Sequence, residues 1–174
     1  MFDTGFVAVV FSLWAALAAD WSAPFERGPA DPGMALSYGQ TYKDYVAGSR
    51  ELRLTYLAPM TIGPAQVIVD GSITDQGGIY AGLGGRMVRD FDIGVPAYGA
   101  AALSIGVWVE GNDVDLGFPL NFRADVELGV RLTEHTRIGV VWDHRSHGYL
   151  GSLFDENAPN RGLESLSLRV TSAF

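Results

Sequence analysis

From Leu120 to Leu132 the chain alternates without a break. Leu120, Phe122, Ala124, Val126, Leu128, Val130 and Leu132 take one parity, and Asn121, Arg123, Asp125, Glu127, Gly129 and Arg131 take the other. A period of two residues is the mark of a β-strand with one apolar and one polar face. A helix, with its period of ~3.6, would scatter the same side chains around its circumference. The stretch also outruns the ~5–6 residues of an ordinary globular strand and suits the ~9–11 that cross a bilayer.

The pattern recurs. Ile138, Val140 and Trp142 oppose Arg137, Gly139, Asp143 and Arg145 over Arg137 to Ser146. Leu166, Leu168, Val170 and Phe174 oppose Ser167, Arg169 and Thr171. Leu103, Ile105, Val107 and Val109 alternate with Ser104, Gly106, Trp108 and Glu110, and Leu52, Leu54 and Tyr56 with Glu51, Arg53 and Thr55. Weaker versions at Met34–Gln40, Ala65–Ile73 and Gly78–Val88 bring the count to eight strands. In the last of these, Gly82, Gly84 and Gly85 are read as room for bulky neighbours such as Tyr80 and Arg86, since no helix follows to make a phosphate loop.

Two architectures share this alternation. A soluble carrier barrel turns its apolar face inward, whereas an outer-membrane barrel turns it to lipid and keeps the polar face inside. Composition helps to decide. The 174 residues are 48% hydrophobic and only 18% charged, with a mean hydropathy of +0.14, yet no apolar run reaches the ~20 residues of a membrane helix. The terminal Phe174 falls on the apolar parity, as outer-membrane barrels end on an aromatic. The polar parity offers Arg123, Asp125, Glu127, Arg131, Asp143 and Arg145, both signs of charge for mutual pairing in a filled interior. The expected fold is therefore all-β: an eight-stranded antiparallel transmembrane β-barrel of outer-membrane type, with a polar interior and a lipid-facing apolar exterior.

Other classes drop out. With no Cys, disulfide scaffolds, zinc fingers and thiol redox sites are excluded. A net charge of −8 and a single Lys, Lys43, argue against a nucleic-acid surface. No sequence motif for a metal or cofactor is present. His144-x-x-His147 would put its imidazoles on opposite faces of a strand, and the four Trp show no cofactor spacing. Disorder is incompatible with this hydrophobic content.

The run Phe6 to Ala19 is too short to span a bilayer and ends in Ala16-Leu17-Ala18. It reads as a secretory signal peptide, residues 1–18, although the usual basic start is missing. Residues 19–33, rich in Pro and Gly, read as an irregular lead-in, and residues 34–174 as one barrel domain. An even strand count sets both chain ends on the periplasmic side. The Thr133–Thr136 connection is then a tight periplasmic turn, and His147 to Arg161 a long loop on the outer face, where loops tend to carry function.

Both ends of that long loop place polar residues on the apolar parity. Continuing Ile138, Val140, Trp142 reaches His144 and Ser146; continuing Leu168, Leu166 backwards reaches Glu164. A serine, a histidine and a carboxylate at one rim could be a nucleophile, a base and an orienting acid. Polar residues at a membrane rim also simply meet headgroups, so parity alone leaves both readings open. Asp143 is adjacent in sequence but points inward, and Asp155 and Glu156 have no strand phase to place them.

His144-Arg145-Ser146, followed by Pro159-Asn160-Arg161-Gly162-Leu163-Glu164-Ser165-Leu166-Ser167-Leu168, resembles the lipid A deacylases of the PagL type. Their C-terminal segment reads His-x-Ser-Asn and then Pro-Asn-x-Gly-Ile-Glu-Ser-x-Ser-Leu. The resemblance covers residues 119–174 and implies Ser146 as nucleophile, His144 as base and Glu164 as the residue orienting the imidazole. It further implies an eight-stranded outer-membrane barrel with its active site on the outer wall, acting as an esterase on lipid A of lipopolysaccharide without a cofactor. Two features depart from the family: His147 stands where it has Asn, and the loop before Glu164 is longer. His147, Asn160 and Trp142 are candidates for the substrate or oxyanion region, with Trp142 also an interfacial anchor. Expected partners are lipid A and outer-membrane lipids, and no nucleic acid; a homodimer stays open, with no interface signature to support it.

Overall fold

Leu120–Arg131, the segment of cleanest alternation, pairs on both edges in the computed structural model, which describes residues 27–44, 46–148, 150–153 and 161–174. The strands are β1 (Arg27–Pro29), β2 (Gly33–Lys43), β3 (Val46–Ile62), β4 (Ala65–Thr74), β5 (Ile79–Asp92), β6 (Pro96–Val109), β7 (Leu120–Arg131), β8 (Thr136–Ser146) and β9 (Leu163–Ala173). Each of β2 to β9 runs antiparallel to its neighbours; β9 returns to β2, with Gly33 opposite Ala173, and β3 pairs β4. The eight strands close without a free edge, which satisfies their backbone groups within the wall. The short β1 lies along the end of β3, with Arg27 opposite Ile62. It falls within the Pro/Gly-rich stretch read as irregular. The signal-peptide segment, residues 1–18, lies outside the described residues, as do residues 19–26 of the lead-in.

Strand boundaries differ from the sequence reading most in β3, which runs from Val46 to Ile62 rather than over Glu51 to Tyr56, and in β6, which begins at Pro96 rather than near Leu103. Ala97, Gly99, Ala100, Ala101 and Ala102 carry no contrast between parities, so alternation could not reveal them. At the end where β2 begins and β9 finishes the connections are short: 63–64, 93–95 and 132–135. The first turns on Gly63, whose φ of 57° is a conformation glycine adopts without strain. At the other end lie the two long connections, 110–119 and 147–162.

The phase of the wall is the one alternation implied. Leu36, Leu54, Leu83, Ile105, Leu128, Val140, Leu168, Val170 and Phe174 are exposed on the outside. Among the described residues, the interior holds five arginines (Arg53, Arg86, Arg123, Arg145 and Arg169) and five carboxylates (Glu51, Asp70, Asp125, Glu127 and Asp143), all buried. Every one of these ten charges is paired. Arg53 bridges Asp70 (2.6 Å) and Asp125 (2.7 Å), and Arg123 bridges Glu51 and Asp143 (both 2.8 Å). Arg169 joins Asp125 (3.4 Å) to Glu127 (2.9 Å), Arg86 meets Glu127 (2.9 Å), and Arg145 meets Glu51 (2.5 Å). Equal numbers matter because an isolated buried charge costs several kcal/mol, of the order that unfolds a domain. Arg131, read as an interior charge, instead sits at the short-turn rim. It is exposed there and lies 3.7 Å from Asp90, because β7 ends before the interior closes around it.

Aromatics fill the remaining interior space. A Cβ on Gly82 would lie 2.7 Å from the Tyr80 hydroxyl, so this glycine does make room for its bulky neighbour. Toward the long-loop end, Tyr80, Trp108, Leu116 and Leu163 form a buried apolar cluster. Leu116 belongs to connection 110–119, which is tucked into the barrel mouth. Trp108 Nε1 donates to Val114 O (3.0 Å) and the Ser49 hydroxyl donates to Asp113 (2.5 Å). The mouth is thus stoppered by its own loop.

Candidate active site on the outer wall

The β8–β9 ladder sets His144 directly opposite Glu164. Facing residues in an antiparallel pair have Cβ atoms ~5 Å apart, close enough for their side chains to meet. Here His144 Nδ1 lies 3.9 Å from Glu164 Oε1, with the imidazole mostly buried and the carboxylate half-exposed. That separation exceeds a hydrogen bond.

Ser146 is the last residue of β8, on the same parity as His144 and opposite Phe122 of β7. Its Cα is ~7 Å from that of His144 by strand rise. It is only 4% exposed, more buried than a residue on the lipid parity should be. The chain turns directly after it: Gly148 has a φ of 56°, and a Cβ built on it would lie 3.3 Å from the Phe122 ring.

The interior side of β8 braces this rim. Arg145, between His144 and Ser146, points inward to Glu51 and lies over Trp108 (4.5 Å) and Tyr80 (5.0 Å). Asp143 is indeed turned inward. It accepts from Arg123 and from Ser165, the residue facing it on β9, directly behind the His144–Glu164 pair. The Ser165–Asp143 hydrogen bond therefore ties the two strands together on the interior face at the height of the site.

His147 is wholly buried. Its Nδ1 accepts the backbone N–H of Gly151 (3.1 Å) and its carbonyl accepts that of Leu150 (2.9 Å), so it caps the 3-10 turn Leu150–Leu153. Phe118, from the other long connection, packs edge-on against its ring at 6.2 Å. With Nδ1 as acceptor, the neutral ring carries its proton on Nε2. Trp142 is exposed one step below His144 on the same face, beside Leu166. Asn160, Asp155 and Glu156 lie outside the described residues.

One contributor was missed from sequence. A Cβ on Gly162 would lie 2.6 Å from His144 Cε1, so the ring occupies the space a side chain would need. The signal was available: Gly162 shares the parity of Glu164, one step nearer the rim. Leu163, on the inward parity between them, joins the mouth cluster, and Arg161 reaches Asp115 of the other loop at 3.9 Å.

Fold and site together define a class: a small antiparallel barrel with paired charges inside, an apolar wall outside, and a histidine–carboxylate pair on that wall at the long-loop end. Among solved structures, the fold is similar to that of the outer membrane enzyme PagL, with a TM-score of 0.63 and 17% identity, over 82% of this chain and 99% of that one. Neisserial surface protein A is similar with a TM-score of 0.54 and 13% identity, over 86% of this chain and 99% of that one. At these identities the likeness shows the fold. No family model and no curated protein matches the sequence.

Proposed function

We propose that the protein is a bacterial outer-membrane esterase that removes the ester-linked 3-hydroxyacyl chain at position 3 of lipid A. The observation that carries this reading is the register of β8 on β9, which brings His144 and Glu164 together on the outer wall with Ser146 on the same face. In this mechanism Glu164 holds Nδ1 of His144, leaving Nε2 to take the proton of the Ser146 hydroxyl. The alkoxide attacks the ester carbonyl, the sugar hydroxyl leaves with the proton from His144, and an acyl-enzyme forms on Ser146. Water activated by His144 then releases the fatty acid and restores the serine.

An outward site suits a substrate that is itself a membrane lipid, since it arrives laterally in the leaflet. Trp142 would anchor the wall at the interface just below the reacting ester. His147 and Asn160 are the candidates for the oxyanion donor in this mechanism.

Mass spectrometry of lipid A from cells expressing the wild type or Ser146→Ala tests the proposal. Loss of one 3-hydroxyacyl chain with the wild type alone supports it. Unchanged lipid A with the wild type, or deacylation by a Ser146→Ala variant that still shows heat-shifted gel mobility, overturns it in favour of a non-catalytic barrel.

A further inference from the structure

Of the arginines in the barrel strands, only Arg50 and Arg89 are turned outward, toward opposite ends of the wall. Arg50 lies at the long-loop end. Its backbone exchanges hydrogen bonds with Asp75 (N to Oδ1 3.1 Å; Asp75 N to its carbonyl 3.0 Å), while its guanidinium enters no ion pair among the described residues. An unpaired cation on a lipid-facing wall is costly unless it sits at headgroup height and meets an anion there.

The surroundings of Arg50 supply the rest of a lipid site. A groove on the outer wall is lined by Tyr38, Gln40, Val140, Leu166 and Leu168, with Arg50 as its one charged residue. Its floor is bare backbone where Gly39 faces Ser167. The register fixes its direction. Gln40 stands opposite both Arg50 and Leu166, and Tyr38 opposite Leu168, so the apolar lining extends from the level of Arg50 toward the middle of the wall. The Gln40 amide is tied back to Gly48 O (2.8 Å) and Ser49 O (3.0 Å), leaving the guanidinium as the charged group at the groove head. A lipid of the outer leaflet has the same polarity: anionic head at the rim, acyl chain pointing to the bilayer centre.

We infer that this groove is a binding site for a phosphorylated amphiphile, with the phosphate on Arg50 and one acyl chain against Tyr38, Val140, Leu166 and Leu168. The inference takes its substrate class from the esterase reading above. Glu164 faces Tyr42, one step above Gln40 on the same side of β2. Arg50 is therefore two strands across and two residues down from Glu164, roughly 12 Å by strand spacing and rise. Ser146, one strand further across and two residues higher, is roughly 20 Å from Arg50 by the same spacing, so the groove holds a lipid beside the esterase site at the same rim of the wall. In a protein of net charge −8, such a local cation supplies the attraction that the overall field does not.

Binding is read by native mass spectrometry on detergent-solubilised protein carrying Ser146→Ala, so that turnover plays no part. The probes are bisphosphorylated lipid A and the same lipid A with its phosphates removed. The phosphorylated form should bind about fivefold more tightly, a preference that Arg50→Ala abolishes and Arg50→Lys partly keeps. Leu166→Trp, which fills the groove, should weaken both lipids, and millimolar inorganic phosphate should displace neither. Equal binding of the two lipids, a preference surviving Arg50→Ala, indifference to Leu166→Trp, or displacement by inorganic phosphate would each overturn the inference. These outcomes are separate from the fate of the esterase proposal. If lipid A is unchanged in cells but the preference holds, only the chemistry is wrong; if deacylation occurs without the preference, only the Arg50 site is.

Discussion

Gly162 is pressed against the imidazole of His144: a Cβ built on it would lie 2.6 Å from Cε1 and 3.5 Å from each ring nitrogen. The glycine lies just before β9 and the histidine near the end of β8, so this contact locks the imidazole against the strand that carries Glu164. A methyl group here must push the ring aside. Gly162→Ala is expected to lower deacylation by about a hundredfold, since a displacement of ~1 Å in a reacting group has that effect. Heat-shifted gel mobility should remain as in the wild type, because the contact is confined to the wall surface. An unimpaired rate in Gly162→Ala would show that the ring position seen here is not the working one.

Two neighbouring carboxylates should fail in opposite ways. Glu164→Ala removes the partner of His144 Nδ1 and is expected to cut the rate by roughly a hundred- to ten-thousandfold with the barrel intact. Asp143→Ala instead strips Arg123 and Ser165 of a buried acceptor, so its main effect should be lost stability. Parallel rate and urea-unfolding measurements on the two variants distinguish an orienting residue from a structural one. Equal rate losses with equal destabilisation would remove the distinction.

Glu127 is a shared interior acceptor, taking Arg86 and Arg169 (both 2.9 Å) as well as the Tyr98 hydroxyl. Glu127→Ala leaves two guanidinium groups short of a counter-charge and should destabilise the barrel by about 3–5 kcal/mol. Urea unfolding in lipid vesicles, followed by tryptophan fluorescence, reads this directly. A loss below about 1 kcal/mol would mean that water replaces the carboxylate without strain.

Depth along the wall should set the cost of an added charge. Leu168 is 62% exposed at the middle of β9, and Leu132 is 60% exposed at the short-turn rim. Leu168→Arg is expected to cost about 2–4 kcal/mol and Leu132→Arg about 0–1 kcal/mol, because only the first places a charge in hydrocarbon. Similar costs at the two positions, measured as vesicle unfolding free energies, would mean that this face does not meet the bilayer core.

Much of the barrel could be read directly from the chain. In β7 and β8 the apolar parity names the wall residues, and the same count carried to the rim isolates His144, Ser146 and Glu164. Both steps work because side-chain direction in a strand is a local property with a period of two. The reading weakened where residues are uniformly small, as in the first half of β6, and it misplaced Arg131 because parity does not say where the interior ends.

Partnership was beyond the sequence. Nothing in local order says that Arg145 meets Glu51, that Trp108 and Leu163 share a cluster with Leu116, or that Gly162 seats the His144 ring. Those contacts join segments far apart in the chain, and they depend on strand order, register and loop path together. The burial of Ser146 likewise departs from strand phase, whereas that of His147 follows the inward parity of Asp143 and Arg145. By itself the sequence determined which face of each strand is apolar and which residues interrupt it; closure of the barrel decided what each of them touches, because contacts across a sheet are set by register rather than by periodicity.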